Sequence, residues 1–443
     1  ALVSEQAPDR HDRTNDPFVT IDSPSTQDMD DALYAVPNAT GWTLSVAIAD
    51  PTALLAVNGP VEQEARARAT AIYFPGEPRP MLHDAISTQL CSLVPDSPRL
   101  AVVCDVQVNN DGSLGEFSLQ QAIIRSHGKL SYDRVDAVIS GRSDDETGAL
   151  PDAVSGSLDQ LHQAAQALRR WRDQHALLSA DRPEFRLRLD EHRHIRTIEP
   201  AMQNEAHRLV EECMIAANRC AAQALTDHSK QGLYITHSGL RDDRHENIRT
   251  LLKTHAPTLA DVDPASPDGF KTLMRESEGL TSDVPVKTIL SRQLTRAELS
   301  FTPAPHQGMG LPAYTTFTSP LRKYSDSHVH RLLRAALWGG PDVSFTENQL
   351  AALQQTQFDA RRAANSLEQW LKCLYAPQLG DQPMAGVISR STASGFFVKL
   401  DCNGIEGFVS TKDMAGKYSF DPITLTLTVP EQTFMLDQPV TVT

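Results

Sequence analysis

Residues 18–35, FVTIDSPSTQDMDDALYA, place four aspartates within ten positions, namely Asp22, Asp28, Asp30 and Asp31. Apolar, strand-like residues flank this acidic segment on both sides, so the carboxylates are predicted to lie between two strands. Carboxylates held this close repel one another, which raises their pKa values and destabilises the local fold. A hard divalent cation such as Mg²⁺ or Mn²⁺ would relieve the repulsion, and the alternative is a solvated acidic turn.

Composition narrows the classes of function. The 443 residues suggest about two to three domains, and the sequence contains no apolar run long enough to predict a membrane span or a signal peptide. The six cysteines are dispersed without a CxxC pair, which favours reduced thiols in a cytoplasmic protein over a zinc site. The net charge of −15 argues against a general nucleic-acid binder, so contact with nucleic acid would require a local positive channel.

Hydrophobic patterning predicts an α+β fold. A polar segment at residues 376–383 predicts a linker, and the strand-rich composition after it is typical of a small β-barrel. The segments predicted as strands are residues 16–36, 42–49, 100–108 and 114–126, and those predicted as helices are residues 62–73, 155–175, 206–225, 319–337 and 347–375.

Several blocks of this sequence resemble the ribonuclease II family of 3′→5′ exoribonucleases, in the family's order. They are TIDSPSTQDMDDALYA, LSVAIADPTALLA, AIYFPGEPRPML, QNEAHRLVEECMIAANRCAA and AYTTFTSPLRKYSDSHVHRLL. The resemblance spans roughly residues 16–370. It implies a catalytic domain over residues 1–378, in which a channel runs between a mixed sheet and long helices. It further implies an OB-fold RNA-binding barrel over residues 379–443 that lacks its last strand, and no cold-shock-type barrel ahead of the catalytic domain in the residues given.

The resemblance also implies the roles of the acidic residues, position by position. Asp22 and Asp31 match direct metal ligands, and Asp28 would complete the metal's shell. Asp30 matches the aspartate most closely tied to chemistry, which orients the attacking water or a second metal. Arg322, in SPLRKY, matches the family's catalytic arginine, whose planar guanidinium suits the oxygens of a phosphoryl group.

A second set of positions matches residues that contact RNA in the family. Tyr73 would pack against the 3′-terminal nucleotide, Tyr132 would favour RNA over DNA through the ribose, and Glu211 would lie near the terminal ribose, with Glu212 as the nearest alternative. In the predicted barrel, Phe396, Phe397 and Phe408 are candidates for base stacking, although strand alternation predicts that one of the adjacent pair Phe396 and Phe397 is core. The full set of expected RNA contacts is Tyr73, Tyr132, Glu211, Lys323, Phe396 and Phe397.

Two positions depart from the family pattern. Ser179 stands where a second stacking aromatic is expected, which predicts a looser hold on the last bases. Ala364 stands in place of an acidic residue near the active site. His328 and His330 are two positions apart on a predicted helix, so they point to nearly opposite sides and are interpreted as ordinary helix residues rather than joint metal ligands.

The expected function is processive 3′→5′ hydrolysis of single-stranded RNA that releases nucleoside 5′-monophosphates and uses Mg²⁺, or alternatively Mn²⁺. The expected protein is a cytoplasmic monomer without a membrane partner. Ser179, Ala364, the absence of leading barrels and the acidic net charge motivate an alternative, a non-degrading RNA-binding or regulatory protein on the same scaffold. A metal-dependent DNA exonuclease is a third hypothesis, which Tyr132 disfavours.

Overall fold

The computed structural model describes residues 9–142, 150–178, 184–414, 416–429 and 432–443. Across these residues the fold is α+β, as predicted. The strands are β1 (His11–Arg13), β2 (Thr20–Asp22), β3 (Asp31–Asn38), β4 (Gly41–Ala49), β5 (Ile72–Phe74), β6 (Glu77–Arg79), β7 (Pro98–Asn109), β8 (Leu114–Arg125), β9 (Lys129–Ser131), β10 (Glu184–Leu189), β11 (Ile195–Ala201), β12 (Tyr234–Thr236), β13 (Glu298–Ser300), β14 (Met384–Thr392), β15 (Gly395–Leu400), β16 (Glu406–Ser410), β17 (Ser419–Asp421), β18 (Thr426–Val429), β19 (Gln432–Phe434) and β20 (Pro439–Val442).

Helices form most of the other regular secondary structure among the described residues. None of the described helices combines the length and the apolar composition that a membrane span requires. The helices are α1 (Pro60–Arg68), α2 (Tyr132–Ile139), α3 (Asp152–His175), α4 (Glu205–His228), α5 (His245–His255), α6 (Pro267–Glu276), α7 (Val286–Ser291), α8 (Tyr324–Trp338) and α9 (Glu347–Tyr375).

A five-stranded sheet in the order β1-β8-β7-β4-β3 forms the centre of the molecule. The strands pair antiparallel except for β1, which runs parallel to β8. Along β4, Leu44, Val46 and Ile48 pack into a core that includes residues of α3 and α4, whereas Ala47 and Ala49 pack into a second core on the other face. Both faces of the sheet are therefore buried, which makes it a rigid support for residues at its edges.

The acidic segment connects β2 to β3 at one end of this sheet. Strand β2 ends at Asp22 and runs parallel to β9, with Asp22 opposite Ser131. Strand β3 begins at Asp31, which lies opposite Ile48 of β4. Tyr132 directly follows β9 as the first residue of α2. The two strands therefore bring the ends of the acidic segment and Tyr132 to the same place. The single strand predicted over residues 16–36 is wrong, because residues 23–30 form a loop between β2 and β3.

The segment SPLRK was predicted to begin a helix at residue 319, but α8 begins only at Tyr324. The fully buried carboxylate of Asp326 accepts a hydrogen bond from the backbone N–H of Ser319 (3.0 Å) and so fixes a loop ahead of the helix. The carbonyl of Arg322 accepts from the backbone N–H of Ala71 (2.8 Å). Long-range hydrogen bonds therefore override the helical pattern and keep Arg322 in a turn ahead of the helix.

A similar correction applies to the helix predicted at residues 62–73. Helix α1 ends at Arg68, because Ala69 adopts a positive φ of 62° that an α-helix cannot continue. Tyr73 lies instead in β5, which pairs antiparallel with β6. Tyr73 is therefore an exposed residue of a β-hairpin and not part of a helix.

The C-terminal part contains a four-stranded antiparallel sheet, in the order β16-β15-β14-β20, and a three-stranded sheet of β17, β18 and β19. The predicted short strands are therefore present, but these pairings do not establish the closed OB-fold arrangement. Ile388 and Phe396 of this part share a hydrophobic cluster with Leu251 and Leu290 from the helices α5 and α7. The domain division at residue 378 stays a prediction.

Asp50, directly after β4, ties α8 to the central sheet through buried charges. Its carboxylate accepts hydrogen bonds from Arg10 (2.5 Å) and Arg334 (2.6 Å), and His330 Nδ1 lies 4.0 Å away. Burial alone would raise the pKa of Asp50, but Arg10 and Arg334 outweigh it and hold that pKa well below its ordinary value. The network fixes the helix that follows Arg322.

Asp50→Asn is expected to destabilise the fold by roughly 3–5 kcal/mol, because it leaves two guanidinium groups without their buried carboxylate. Since the pKa of Asp50 is lowered by folding, its contribution is present above the unfolded-state pKa of about 3.9 and is lost as the pH falls below that value. Thermal unfolding from neutral pH downwards should show the gap between wild type and variant shrinking below about pH 4. Asp342→Asn, which removes an exposed pair with Lys230, is the control. A gap that is independent of pH would contradict the assignment.

Candidate active site

Three of the four aspartates are withdrawn from solvent at the junction of β2 and β3. Asp30 is only 4 % exposed. One carboxylate oxygen of Asp22 and one of Asp31 are buried, and neither has a hydrogen-bond partner among the described residues. Buried polar atoms are nearly always satisfied, so two orphaned carboxylate oxygens at one place indicate a missing positive partner.

Burial raises the pKa of each of these carboxylates. The pKa of Asp22 rises to about 6, because burial and the charge of Asp28 outweigh the attraction of Arg322 and Lys129. Burial raises the pKa of Asp30 to about 7 against the opposing effect of Arg322. The pKa of Asp31 is raised well above its ordinary value by burial, then by Asp22 and Asp30. The protein's own cations therefore do not neutralise the cluster.

Of these cations, Arg322 opposes the rise in the aspartate pKa values most strongly, and Asp30 holds its side chain in place. Its Nε donates to Asp30 Oδ2 (3.0 Å), while the backbone N–H of Leu321 donates to Asp30 Oδ1 (2.8 Å). The Arg322 side chain is 42 % exposed. Its two terminal nitrogens have no hydrogen-bond acceptor in the part of the chain that the structure describes. Asp30 thus uses both oxygens to orient a guanidinium whose free donors remain available.

Tyr73 lies next to the cluster on the β5–β6 hairpin. Its hydroxyl donates to Asp28 Oδ2 over a long 3.5 Å, and burial together with Asp28 raises its pKa to about 12. The side chain is still 53 % exposed, so one ring surface is free to contact a ligand. Thr70 Oγ1 donates to the Arg322 carbonyl (3.1 Å), which ties the hairpin to the arginine loop. Lys323 follows and is half-buried.

The loop that carries Asp28 is anchored by two residues that the sequence did not reveal. Lys129 Nζ donates to the carbonyls of Pro24 (3.0 Å) and Thr26 (2.5 Å). Ser92, fully buried, donates through Oγ to the carbonyl of Gln27 (2.7 Å) and accepts from the backbone N–H of Met29 (2.9 Å). These contacts hold both halves of the loop, and no local pattern around residue 92 or residue 129 could have indicated them.

Glu211 and Glu212 have different environments on α4. Glu212 is buried and forms an ion pair with Arg172 (2.7 Å). Glu211 is half-exposed, lies 3.8 Å from Arg172, and lines a cavity of about 800 Å³ together with Arg169. Glu211 is therefore the more accessible of the two glutamates, and its expected place near a terminal ribose stays a prediction.

The structure separates the two aromatic residues proposed for base stacking. Phe396 is only 3 % exposed and stacks on Phe434 inside the C-terminal part, so it is a core residue and its expected RNA contact is wrong. Phe397 points to the other side, where it packs against Phe408 (ring centroids 4.8 Å apart) and under the guanidinium of Arg390. Phe408 is 47 % exposed. An exposed aromatic surface remains, but it is built from Phe397 and Phe408.

Four other positions were considered from the sequence, and one of them lies outside the described residues. Ser179 belongs to the residues that the structure does not describe. Ala364 is half-buried in α9. His328 stacks on the ring of Phe345, whereas His330 Nε2 contacts the Phe317 carbonyl (2.7 Å), so the two histidines do not share a partner.

The donor set at the acidic cluster fits a hard divalent cation. It consists of carboxylate oxygens, the donors that Mg²⁺ prefers, and two of these oxygens have no hydrogen-bond partner within the described ranges. Among the described residues, no group of three or more His, Cys, Asp or Glu side chains is already arranged as a metal site. The carboxylates are therefore suited to bind a cation, although their side chains are not already arranged as a metal site.

Comparison with known proteins is consistent with this arrangement. The family model of the RNB domain matches residues 10–339. This chain belongs to the RNB-domain family. The resemblance to the ribonuclease II family that the sequence blocks indicated is thereby confirmed.

Relatives of this RNB protein include Exoribonuclease 2 of Edwardsiella piscicida, 38 % identical over 400 residues, which cover 89 % of this chain and 61 % of the relative. Exoribonuclease 2 of Yersinia pseudotuberculosis serotype IB is 37 % identical over 413 residues, or 90 % of this chain and 62 % of the relative. The chain thus spans about three-fifths of the length of these relatives.

Solved structures share the fold of this RNB protein over nearly its whole length. Mycoplasma genitalium RNase R in complex with ribose methylated single-stranded RNA matches with a TM-score of 0.85 and 25 % identity, covering 99 % of this chain and 70 % of that one. Yeast Ssd1, described as a pseudonuclease, matches with a TM-score of 0.72 and 18 % identity, covering 96 % of this chain and 53 % of that one. The second likeness concerns the fold alone.

Mg²⁺ is expected to raise the Tm of the wild-type protein, because a ligand that binds only the folded state stabilises it. Asp22→Asn and Asp31→Asn should each lose this shift, since each removes a carboxylate with an unpartnered buried oxygen. Neither variant should have a lower Tm in EDTA, because each relieves repulsion between buried carboxylates. Thermal unfolding in Mg²⁺ and in EDTA measures both quantities, with Asp342→Asn as the control. A full Mg²⁺ response in Asp31→Asn would show that Asp31 is not a ligand.

Proposed function

We propose that this RNB protein hydrolyses single-stranded RNA from its 3′ end and releases nucleoside 5′-monophosphates in a Mg²⁺-dependent reaction. The observation that carries the proposal is the pair of buried, unpartnered carboxylate oxygens of Asp22 and Asp31 within electrostatic range of Arg322. Carboxylates with unmet charge beside an oriented arginine suit a reaction at a phosphodiester, in which negative charge develops on phosphoryl oxygens.

Asp22 and Asp31 would hold the metal directly, and Asp28 would complete its shell. When bound, Mg²⁺ lowers the pKa of a coordinated water and neutralises charge on the phosphoryl oxygens. Tyr73 and Lys129 support Asp28 from two sides, the former through its hydroxyl and the latter through the loop carbonyls. This support keeps the third carboxylate beside the other two.

Arg322 and Asp30 would act together on the scissile phosphate. Asp30 fixes Nε of the guanidinium, which leaves the terminal nitrogens to donate to phosphoryl oxygens as charge develops on them. Asp30 also accepts the backbone N–H of Leu321, so the loop cannot turn the guanidinium away without losing both bonds. The role of Asp30 in this proposal is therefore to orient Arg322 as well as the attacking water.

The 3′ end of the RNA would lie among the half-exposed residues around the cluster. Tyr73 would stack on the terminal base, Tyr132 and Glu211 would contact the ribose, and Lys323 would contact the backbone. Farther along the chain, the surface of Phe397 and Phe408 beside Arg390 would receive bases of the incoming strand, since aromatic faces and arginine planes both stack on bases.

A second candidate function is RNA binding without cleavage. The fold likeness to yeast Ssd1, a pseudonuclease, shows that this architecture does not by itself require catalysis. The intact set of Asp22, Asp30 and Asp31 with Arg322 favours the hydrolytic function.

Asp30→Asn is expected to reduce RNA hydrolysis by several orders of magnitude while RNA affinity stays within about tenfold, because binding does not depend on one carboxylate. The assay is release of labelled mononucleotides from 3′-labelled single-stranded RNA in Mg²⁺, repeated in EDTA, with affinity measured separately. Asp342→Asn makes the same isosteric change on an exposed carboxylate and serves as the control. RNA binding by the wild type without any mononucleotide release would support the non-degrading alternative.

A further inference from the structure

Tyr132 is held by an aromatic contact that lies outside the acidic cluster. Its ring stacks face to face on the imidazole of His207, with ring centroids 3.8 Å apart and an interplanar angle of 11°. Tyr132 begins α2, and His207 lies in the first turn of α4, so the contact joins the starts of two helices. Nothing in the local sequence of either residue indicates that they meet.

His207 is itself fixed by the start of its own helix. The side chain of Asn204 accepts the backbone N–H of His207 (3.2 Å), and the backbone N–H of Asn204 donates to His207 Nδ1 (3.3 Å). This reciprocal pair is a capping box, in which the third helical residue is usually Glu or Gln. Asn204 Nδ2 also donates to the Tyr132 carbonyl (3.4 Å). The imidazole therefore has little freedom, and the phenol ring lies against an immobile plane.

The phenol of Tyr132 lies close to the metal-binding carboxylates. Burial raises its pKa, and the charges of Asp22 and Asp31 raise it further. Within the described parts of the chain, its hydroxyl makes no hydrogen bond. A half-buried hydroxyl without a partner, beside the site of the reaction, is available to a polar group of the substrate.

Glu211 follows His207 by four residues on α4, so the two side chains lie on the same helical face. Glu211 is the half-exposed glutamate of its pair, whereas Glu212 is buried and lies closer to Arg172. His207 thus contacts Tyr132 of α2 and lies on the same face of α4 as Glu211.

We infer that His207 is a positioning residue for sugar recognition, which holds the Tyr132 ring so that its hydroxyl contacts the 2′-hydroxyl of RNA. The inference rests on the proposed function, because it deepens the role of that same site. The 2′-hydroxyl is the group that distinguishes RNA from DNA, and a single hydrogen bond to it requires a fixed donor or acceptor. A Tyr132 ring that lost its stacking partner would rotate, and ribose and deoxyribose would then be held more equally.

Two substitutions separate the stack from the helix cap. His207→Gln keeps a side chain that completes a capping box but removes the aromatic face, whereas His207→Phe keeps the face but removes the capping nitrogen. Binding of labelled oligouridine and oligodeoxyuridine of equal length, measured in EDTA by fluorescence anisotropy, gives the preference for ribose. Thermal unfolding of each variant measures what the lost contact contributes to stability, namely the stack in His207→Gln and the cap in His207→Phe.

In His207→Gln, the preference for oligouridine should fall by about three- to tenfold, and the Tm should fall by about 1–3 °C because the intramolecular stack is lost while the capping box is kept. His207→Phe should retain the preference and unfold about 1–3 °C earlier. In a Tyr132→Leu background, His207→Gln should have no further effect on the preference, because the residue it positions is gone.

Full preference in His207→Gln, or loss of preference in His207→Phe alone, would overturn the inference. A wild type that binds both oligonucleotides equally would also overturn it. The proposed function fails separately, if the wild type releases no mononucleotide from labelled RNA in Mg²⁺. A protein that degrades RNA while His207→Gln keeps its ribose preference refutes only the role of His207.

Discussion

The mutual repulsion of Asp22, Asp30 and Asp31, buried together where β2 ends and β3 begins, is the constraint around which the rest of the site is arranged. Burial raises the pKa of all three carboxylates, and the nearby cations Arg322 and Lys129 reduce this effect without cancelling it. A fold that places charges in this way gives up stability at the site, and such local costs are typical of functional positions.

The surrounding scaffold explains how the repulsion is contained. Asp30 bonds to Leu321 and Arg322, which lie 291 and 292 residues farther along the chain, so the ends of the RNB domain meet at this carboxylate. Behind the arginine loop, Glu62 of α1 accepts hydrogen bonds from Arg331 (2.5 Å) and Tyr324 (3.3 Å) of α8. The hairpin that carries Tyr73 follows α1 directly. Arg322, Tyr73 and the acidic cluster therefore belong to one hydrogen-bonded unit.

Much of this organisation could be predicted from the sequence, because it depends on local patterns. The acidic segment lies between strands as its apolar flanks indicated, and α9 has the bounds Glu347–Tyr375 that its periodicity predicted. The predictions fail where contacts between residues distant in sequence determine the local structure. The helical pattern at residue 319 gives way to the hydrogen bond from Asp326, and the adjacent Phe396 and Phe397 could not be assigned to core and surface without the strand register. Ser92, Lys129 and His207 support the site by contacting residues that are far from them in sequence. The local sequence around each of them therefore could not predict this role.

The central claim is that Asp22 and Asp31 form a site for a divalent cation, and anomalous scattering tests it most directly. Crystals of this protein grown without metal and soaked in Mn²⁺ can be measured at a wavelength at which manganese scatters anomalously. The expected result is an anomalous peak in contact with the carboxylates of both Asp22 and Asp31. Manganese peaks elsewhere on the protein, with none at these two carboxylates, would contradict the assignment and leave the buried, unpartnered oxygens without an explanation.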